Sequence, residues 1–360
     1  MELKAEDPQL LRRVAQQLEK HEFKGWFYGD SVGFEGLVAA GDMLGVDTWQ
    51  DFSRGFFRAW ATRMEPFQPD DNTAPGHVMC EMIKRTGDEV LKNAVLKLAG
   101  HLWGRRRVRG VAVTFEDTLR ALRQPYGGVP LSAADQEIMR APGAGIWLDC
   151  MHFDPPFYAH LSEIAGPEWS LRAVDEILAY CALLFDPELG MYNHYWLERT
   201  QRSYIQGWGR GQGWALLGLL DVVAHADKAT SRYGDVVAKS KALAGAMLRF
   251  QLADGNWWAM VHEPESGPES STAAFMACAF YRGIRLGVLD AATFREPADR
   301  AFTAMSNNLD ADGNLQGVSA AVYAALVQEH YWHVPRGLIV PWGQGPVLTA
   351  AQARRQLLAA

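Results

Sequence analysis

Cysteine is scarce in this chain. Cys80, Cys150, Cys181 and Cys278 are the only four among 360 residues, they lie far apart, and no CxxC pair occurs. Neither a disulfide framework nor a cysteine zinc site is suggested, and a reducing compartment fits best. Long apolar runs are missing too, so no segment is expected to cross a membrane. The first twenty residues read as a charged amphipathic helix without the apolar centre of a signal peptide, so a cytoplasmic location is the expectation. No block of like charge stands out. Thirty-five basic and forty-two acidic residues interleave to a net charge of −7, and the densest basic run, Arg105 to Arg107 with Arg109, is short enough to be a solvated loop. No nucleic-acid partner is expected. No GxSxG, P-loop or GxGxxG motif precedes a strand, which leaves acyl transfer, nucleotide hydrolysis and dinucleotide chemistry without support.

Alternating β-branched runs are also nearly absent; the best strand candidates are 111–115 and 337–341. What the chain does have is apolar residues at helical spacing, in a repeated form. An apolar helix rich in small residues is followed by a turn and a more amphipathic helix, as in VGFEGLVAAGDMLG then DTWQDFSRGFFRAW. Six such pairs can be drawn, the last formed by GPVLTAAQARRQLLAA and the N-terminal helix. A helix apolar around most of its circumference needs cover on several sides, whereas its amphipathic partner can face water. Six inner and six outer helices closing into a ring meet both demands, so the fold class is all-α, an (α/α)6 barrel. With no linker-like stretch to divide it, residues 1–360 are read as one domain.

The segments leading into the inner helices concentrate glycine, aromatic and acidic residues: GWFYGDS, QPDDNTAPGH, APGAGIWLDCMHFDPPF, SYIQGWGRGQGW, EPESGPESSTAAF and LIVPWGQGP. Gathered at one end of a ring they would line a pocket, and tryptophan, thirteen times present, stacks well on sugar rings. Asp149 stands among Ile146, Trp147, Leu148, Cys150 and Met151. Apolar neighbours disfavour a charged carboxyl, which suits a group that donates and then accepts a proton; a buried helix cap is the plainer alternative. Asp154 before Pro155 has the look of such a cap. Asp70 and Asp71 precede a helix and are either caps or a second carboxylate near Asp149. Arg210, between glycines and tryptophans, could grip a carboxylate with its forked donors or staple two loops together. His330 and His333 have metal-compatible spacing but no acidic company, so no metal is expected.

Taken together, WFYGDSV, DNTAPG with RTGDEVLKNA, IWLDCMHFDPPF, MYNHYW, WGRGQGWALLGLLDV, DGNWW with ESSTAAF, RGIRLGVLD and VPWGQGP resemble glycoside hydrolase family 105, the unsaturated rhamnogalacturonyl hydrolases, and more distantly family 88, the unsaturated glucuronyl hydrolases. The resemblance spans most of the chain. It implies the same barrel, no cofactor, and hydration of the C4=C5 double bond in the terminal unsaturated uronic acid of lyase-generated oligosaccharides, with rhamnogalacturonan or another pectin as their source. It assigns catalysis to Asp149 and Asp71, and substrate binding to Tyr28, His194, Trp208, Arg210 and Trp214. The sequence departs from the family pattern where WLDCMHFDPPF replaces the commoner WLDGLYMAxPF, at Ala74, and over the longer stretch from Val111 to Gly145, which is expected to help wall the pocket. A conventional inverting glycosidase and a carbohydrate-binding protein without catalysis are the alternatives. The expected partner is an oligosaccharide substrate, and the expected state a monomer or homodimer.

Overall fold

The computed structural model describes residues 3–67 and 75–360. Its helices, in chain order, are α1 (Pro8–Glu19), α2 (Tyr28–Leu44), α3 (Thr48–Ala61), α4 (Gly76–Thr86), α5 (Glu89–Gly104), α6 (Ala133–Arg140), α7 (Asp154–Ala165), α8 (Glu168–Leu184), α9 (Gly209–His225), α10 (Tyr233–Arg249), α11 (Ser270–Arg285), α12 (Ala291–Asn307) and α13 (Pro341–Leu358). Helices α2, α4, α7, α9, α11 and α13 pack each against the next, and α13 returns to α2. Each has an outer neighbour: α3, α5, α8, α10, α12 and, for α13, the N-terminal α1. This is the (α/α)6 barrel anticipated from the helix repeat.

Burial separates the two rings. Every residue of α9 from Gly209 to Val223 is buried, as is α11 from Ser270 to Tyr281. On outer α3 only Trp49, Ser53, Phe57 and Trp60 are buried, one stripe at helical spacing. Inner helices stay apolar because water reaches none of their faces; outer helices need only one such stripe. The ring closes between α2 and α13 on two glycines. A Cβ at Gly36 would lie 2.6 Å from the Cα of Gly345, so side chains there would force the helices apart. Acidic caps start several of the helices: Asp7, Asp88, Glu269 and Asp290 each accept a backbone N–H in the first turn that follows.

Strands are few and short among the described residues. β1 (Arg107–Val108) pairs with β2 (Val111–Ala112), and β4 (Phe185–Asp186) with β5 (Met191–Tyr192). β3 (Gly145–Trp147), β6 (Tyr195–Leu197) and β7 (Arg202–Tyr204) form a three-stranded antiparallel sheet, with β6 in the middle. The expectation of a strand at 111–115 holds for its first two residues. The one at 337–341 does not: Leu338 and Ile339 are exposed with no ladder partner, and Pro341 opens α13, where its missing N–H costs nothing. No described helix is long and apolar enough to cross a membrane, and all four cysteines are buried free thiols.

Candidate active site

The three-stranded sheet determines where the chemistry sits. Trp147 of β3 pairs with Tyr195 of β6, and the Leu148 N–H donates to the His194 carbonyl at 2.8 Å. Asp149 just beyond β3 and His194 just before β6 are thereby set side by side. Asp149 does not cap a helix. It belongs to a 3-10 turn, Leu148–His152, that ends before α7, while Asp154 is the first residue of α7 itself and fully buried. His194 Nε2 lies 3.3 Å from Asp149 Oδ2, with the His194 side chain 3% and the Asp149 side chain 13% exposed.

The other ring nitrogen, His194 Nδ1, is hydrogen-bonded to the Tyr331 hydroxyl. Tyr331 is buried, and desolvation first, then the charges of neighbouring groups including Asp149, push its pKa well above the usual phenol value. The phenol therefore stays protonated and is able to donate to Nδ1. In that tautomer a neutral His194 turns its Nε2–H toward Asp149.

Asp149 and His194 face a cavity of about 210 Å³ at the end of the ring where the inner helices begin. Its walls are largely aromatic: Tyr28 and Phe27 at the start of α2, Trp208 at the start of α9, Trp147, Phe115 and Tyr323. Trp208 also lies against His194, ring centroids 4.3 Å apart. Thr114, Phe115 and Ala121 come from the 111–145 stretch, so that region does wall the cavity. Among the described residues lining it, Asp149 is the only carboxylate, and no lysine or arginine occurs.

Of the seven residues singled out from the sequence, Tyr28, Asp149, His194 and Trp208 line this cavity. Asp71 lies outside the described residues, as do Asp70 and Ala74. Arg210 and Trp214 sit behind the wall. Trp214 is fully buried beneath Tyr28 and against His152, Phe153 and Phe275. Arg210 is 1% exposed; its guanidinium meets Glu269 Oε1 at 3.2 Å, Ser319 Oγ at 2.6 Å and the Ala320 carbonyl at 3.0 Å. Both terminal nitrogens of the fork that could have gripped a substrate carboxylate are thus already engaged by the protein. Arg210 is instead the staple between α9 and the 318–323 segment, whose Ala321, Val322 and Tyr323 line the cavity.

Sequence reasoning missed that segment and Tyr331. The HYWH stretch drew attention for its histidines, but His330 accepts the Tyr126 N–H at Nδ1 (3.1 Å) and meets the Val322 carbonyl at Nε2 (2.8 Å). Both of its nitrogens fasten backbone, and the tyrosine between the two histidines is the one that reaches the site.

The model of Glycosyl Hydrolase Family 88 matches residues 7–358. Unsaturated rhamnogalacturonyl hydrolase YesR of Bacillus subtilis (strain 168) is 27% identical over 349 residues, 95% of this chain and 94% of that protein. A glycoside hydrolase from family 105 of C. acetobutylicum ATCC 824 superposes with a TM-score of 0.76 at 19% identity, covering 97% of this chain and 99% of the other. The unsaturated glucuronyl hydrolase of Bacillus sp. GL1 gives 0.68 at 18% identity, covering 95% and 94%. With a barrel closed by α2 and α13, an acidic residue placed at its mouth and a family match running nearly from end to end, the chain belongs to glycosyl hydrolase family 88.

Proposed function

We propose that this enzyme hydrates the C4=C5 double bond of the terminal unsaturated uronic acid in lyase-generated oligosaccharides of rhamnogalacturonan or other pectin origin, and so releases that uronate. The observation that carries the reading is Asp149 set beside His194 at an aromatic-walled cavity, where one carboxyl can protonate a vinyl ether and then take a proton from the attacking water. The name of YesR, with its similarity along nearly the whole chain, supports the same substrate class.

In this mechanism protonated Asp149 gives its proton to C4, and positive charge develops at C5 and the ring oxygen. Water adds at C5 as the Asp149 carboxylate takes one of its protons, which restores the acid. The resulting hemiketal opens, and the aglycone leaves without attack at C1. His194 orients the Asp149 carboxyl, while Tyr28 and Trp208 offer flat faces to the sugar. Asp71 is assigned the role of second carboxylate, holding the sugar and biasing the proton of Asp149. A cavity this small suits a terminal ring rather than the interior of a polymer.

The test is the ultraviolet absorbance of the C4=C5 chromophore on mixing with lyase-made disaccharides from several polysaccharides. Absorbance is expected to fall fastest with a pectin-derived substrate, and Asp149→Asn to lose at least about a hundredfold of that rate, as removal of a general acid does. A chromophore that persists across the panel, or an Asn variant of undiminished rate, would defeat the proposal.

A further inference from the structure

A second polar cluster lies on the barrel axis, below the turn that bears Asp149. Glu35 of α2 projects inward, and His77 of α4 and His152 at the end of the 3-10 turn both aim Nε2 at its Oε1, at 2.9 and 2.8 Å. The three donor atoms lie within 4.8 Å of one another. His152 is fully buried and His77 nearly so, whereas Glu35 and His77 border a polar cavity of about 270 Å³ lined from the later turns of the inner helices. The ion pairs that Glu35 forms among the described residues are with these two histidines, and Nδ1 of each ring has no hydrogen-bond partner there. A half-buried carboxylate and two buried imidazoles thus share a single oxygen as their meeting point, with the Ser31 hydroxyl 3.5 Å from that oxygen and 3.3 Å from His77 Nε2. The unpartnered Nδ1 atoms face away from this point; what marks it is the convergence of three potential ligand atoms from separate elements.

We propose that Glu35, His77 and His152 bind a divalent transition-metal cation, of the Zn²⁺ or Co²⁺ class. Two imidazole nitrogens and a carboxylate oxygen are the donor set such ions take, and the adjoining cavity can supply water for the remaining positions. Ligand atoms about 2.0 to 2.2 Å from one ion lie about 2.8 to 3.6 Å apart, depending on octahedral or tetrahedral arrangement. The two nitrogen-to-oxygen separations, 2.9 and 2.8 Å, are at the short end of that range. The donors come from three elements, two helices and the catalytic turn, so an ion there would bind His152, and with it the far end of the turn carrying Asp149, to the barrel wall. A neighbouring group, His160, Asp221 and His225, also brings donor atoms together. It is already served: Arg282 pairs with Asp221, Glu163 holds His225 at 2.8 Å, and the two imidazoles stack. The inference stands on the axis cluster and is independent of the sugar chemistry proposed above.

The experiment uses full-length protein purified without a metal-affinity step, stripped with a chelator and titrated with Co²⁺. A single equivalent should bind with a visible d–d band. Glu35→Gln and His152→Asn, with folding checked by circular dichroism, should each weaken binding at least about tenfold, since even outer-shell partners of a metal cost that much; His225→Asn should leave it unchanged. X-ray absorption of the cobalt-loaded wild type, which needs no variant to fold, should count two imidazoles. Absence of stoichiometric binding, retention of the band in both cluster variants, its loss in His225→Asn, or a different imidazole count would each overturn the site.

Discussion

His194 holds its Nε2 3.3 Å from Oδ2 of Asp149, while its Nδ1 is engaged by the buried hydroxyl of Tyr331. Three side chains from a turn, a strand margin and the 3-10 helix Gln328–Trp332 are thereby joined in line, with Asp149 at the cavity end. The imidazole cannot rotate without giving up both contacts. Its tautomer is set by a residue that never faces substrate, the arrangement by which an outer group fixes the proton on a catalytic histidine.

Replacing Tyr331 by Phe should therefore alter the reaction without altering the pocket's shape. Losing a buried hydrogen bond costs about 1 to 3 kcal/mol, so kcat should fall about ten- to a hundredfold while KM changes little. The pH profile should shift as well, because no hydroxyl is left to fix which ring nitrogen faces Asp149. A Phe variant with wild-type kcat and an unmoved profile would show that Tyr331 only fills space.

Arg210 offers a sharper contrast between two roles. If it gripped the uronate directly, Arg210→Met would raise KM and spare stability. The structure instead pairs it with Glu269 inside the protein, at 1% exposure for both side chains. Breaking a buried pair by removing one partner costs about 3 to 5 kcal/mol. Urea denaturation of Arg210→Met should show a loss of that order, and Arg210→Met with Glu269→Gln should recover part of it. A stable Arg210→Met protein with a large KM would return Arg210 to the substrate.

How far the sequence reveals this site can be read from such residues. The barrel was legible because helical periodicity and the contrast between inner and outer helices persist over tens of residues. Asp149 was legible because an acid amid apolar neighbours is unusual. The sheet of β3, β6 and β7 was not, since its strands are three residues each, too short for alternation to register. Arg210 exposes the other limit: glycines and tryptophans around an arginine describe its neighbours in the chain, whereas Glu269 and Ser319, which fill its donors, lie 59 and 109 residues away. Tyr331 is 137 residues from His194, and no local pattern links them.

The approach of α9 to the catalytic turn gives a third test. A Cβ at Gly218 would overlap the carbonyl oxygen of Met151, two residues after Asp149. Gly218→Ala must push the turn or the helix away, a strain of about 1 to 3 kcal/mol as overpacking usually costs. The melting temperature should fall and kcat should drop more than the stability loss explains, because the displaced element carries the acid. Loss of stability with unchanged kcat would mean that the helix, not the turn, gives way.

Acid sensitivity follows from the buried carboxylates that hold the walls together. Burial by itself would raise the pKa of Glu269, but the Arg210 charge, the Ser319 N–H, the Ser271 hydroxyl and the Thr272 N–H outweigh it and hold the group below its ordinary value. Asp221 behaves alike: desolvation pushes up, but Arg282 together with His77, His225 and His152 outweighs it, and the result is about 2. A carboxylate whose folded pKa is depressed contributes its full stability above its unfolded pKa, about 4.3 for Glu and 3.9 for Asp, and loses it as pH falls through the folded value. The urea midpoint should thus be flat with respect to these groups above about pH 5 and decline steeply below about pH 4. Glu269→Gln should be less stable at neutral pH and show a shallower decline, since one of the titrating groups is gone. An unchanged slope in Glu269→Gln would mean that the Glu269 and Arg210 pair takes no part in acid unfolding, and that the wall of the cavity is held by its other contacts.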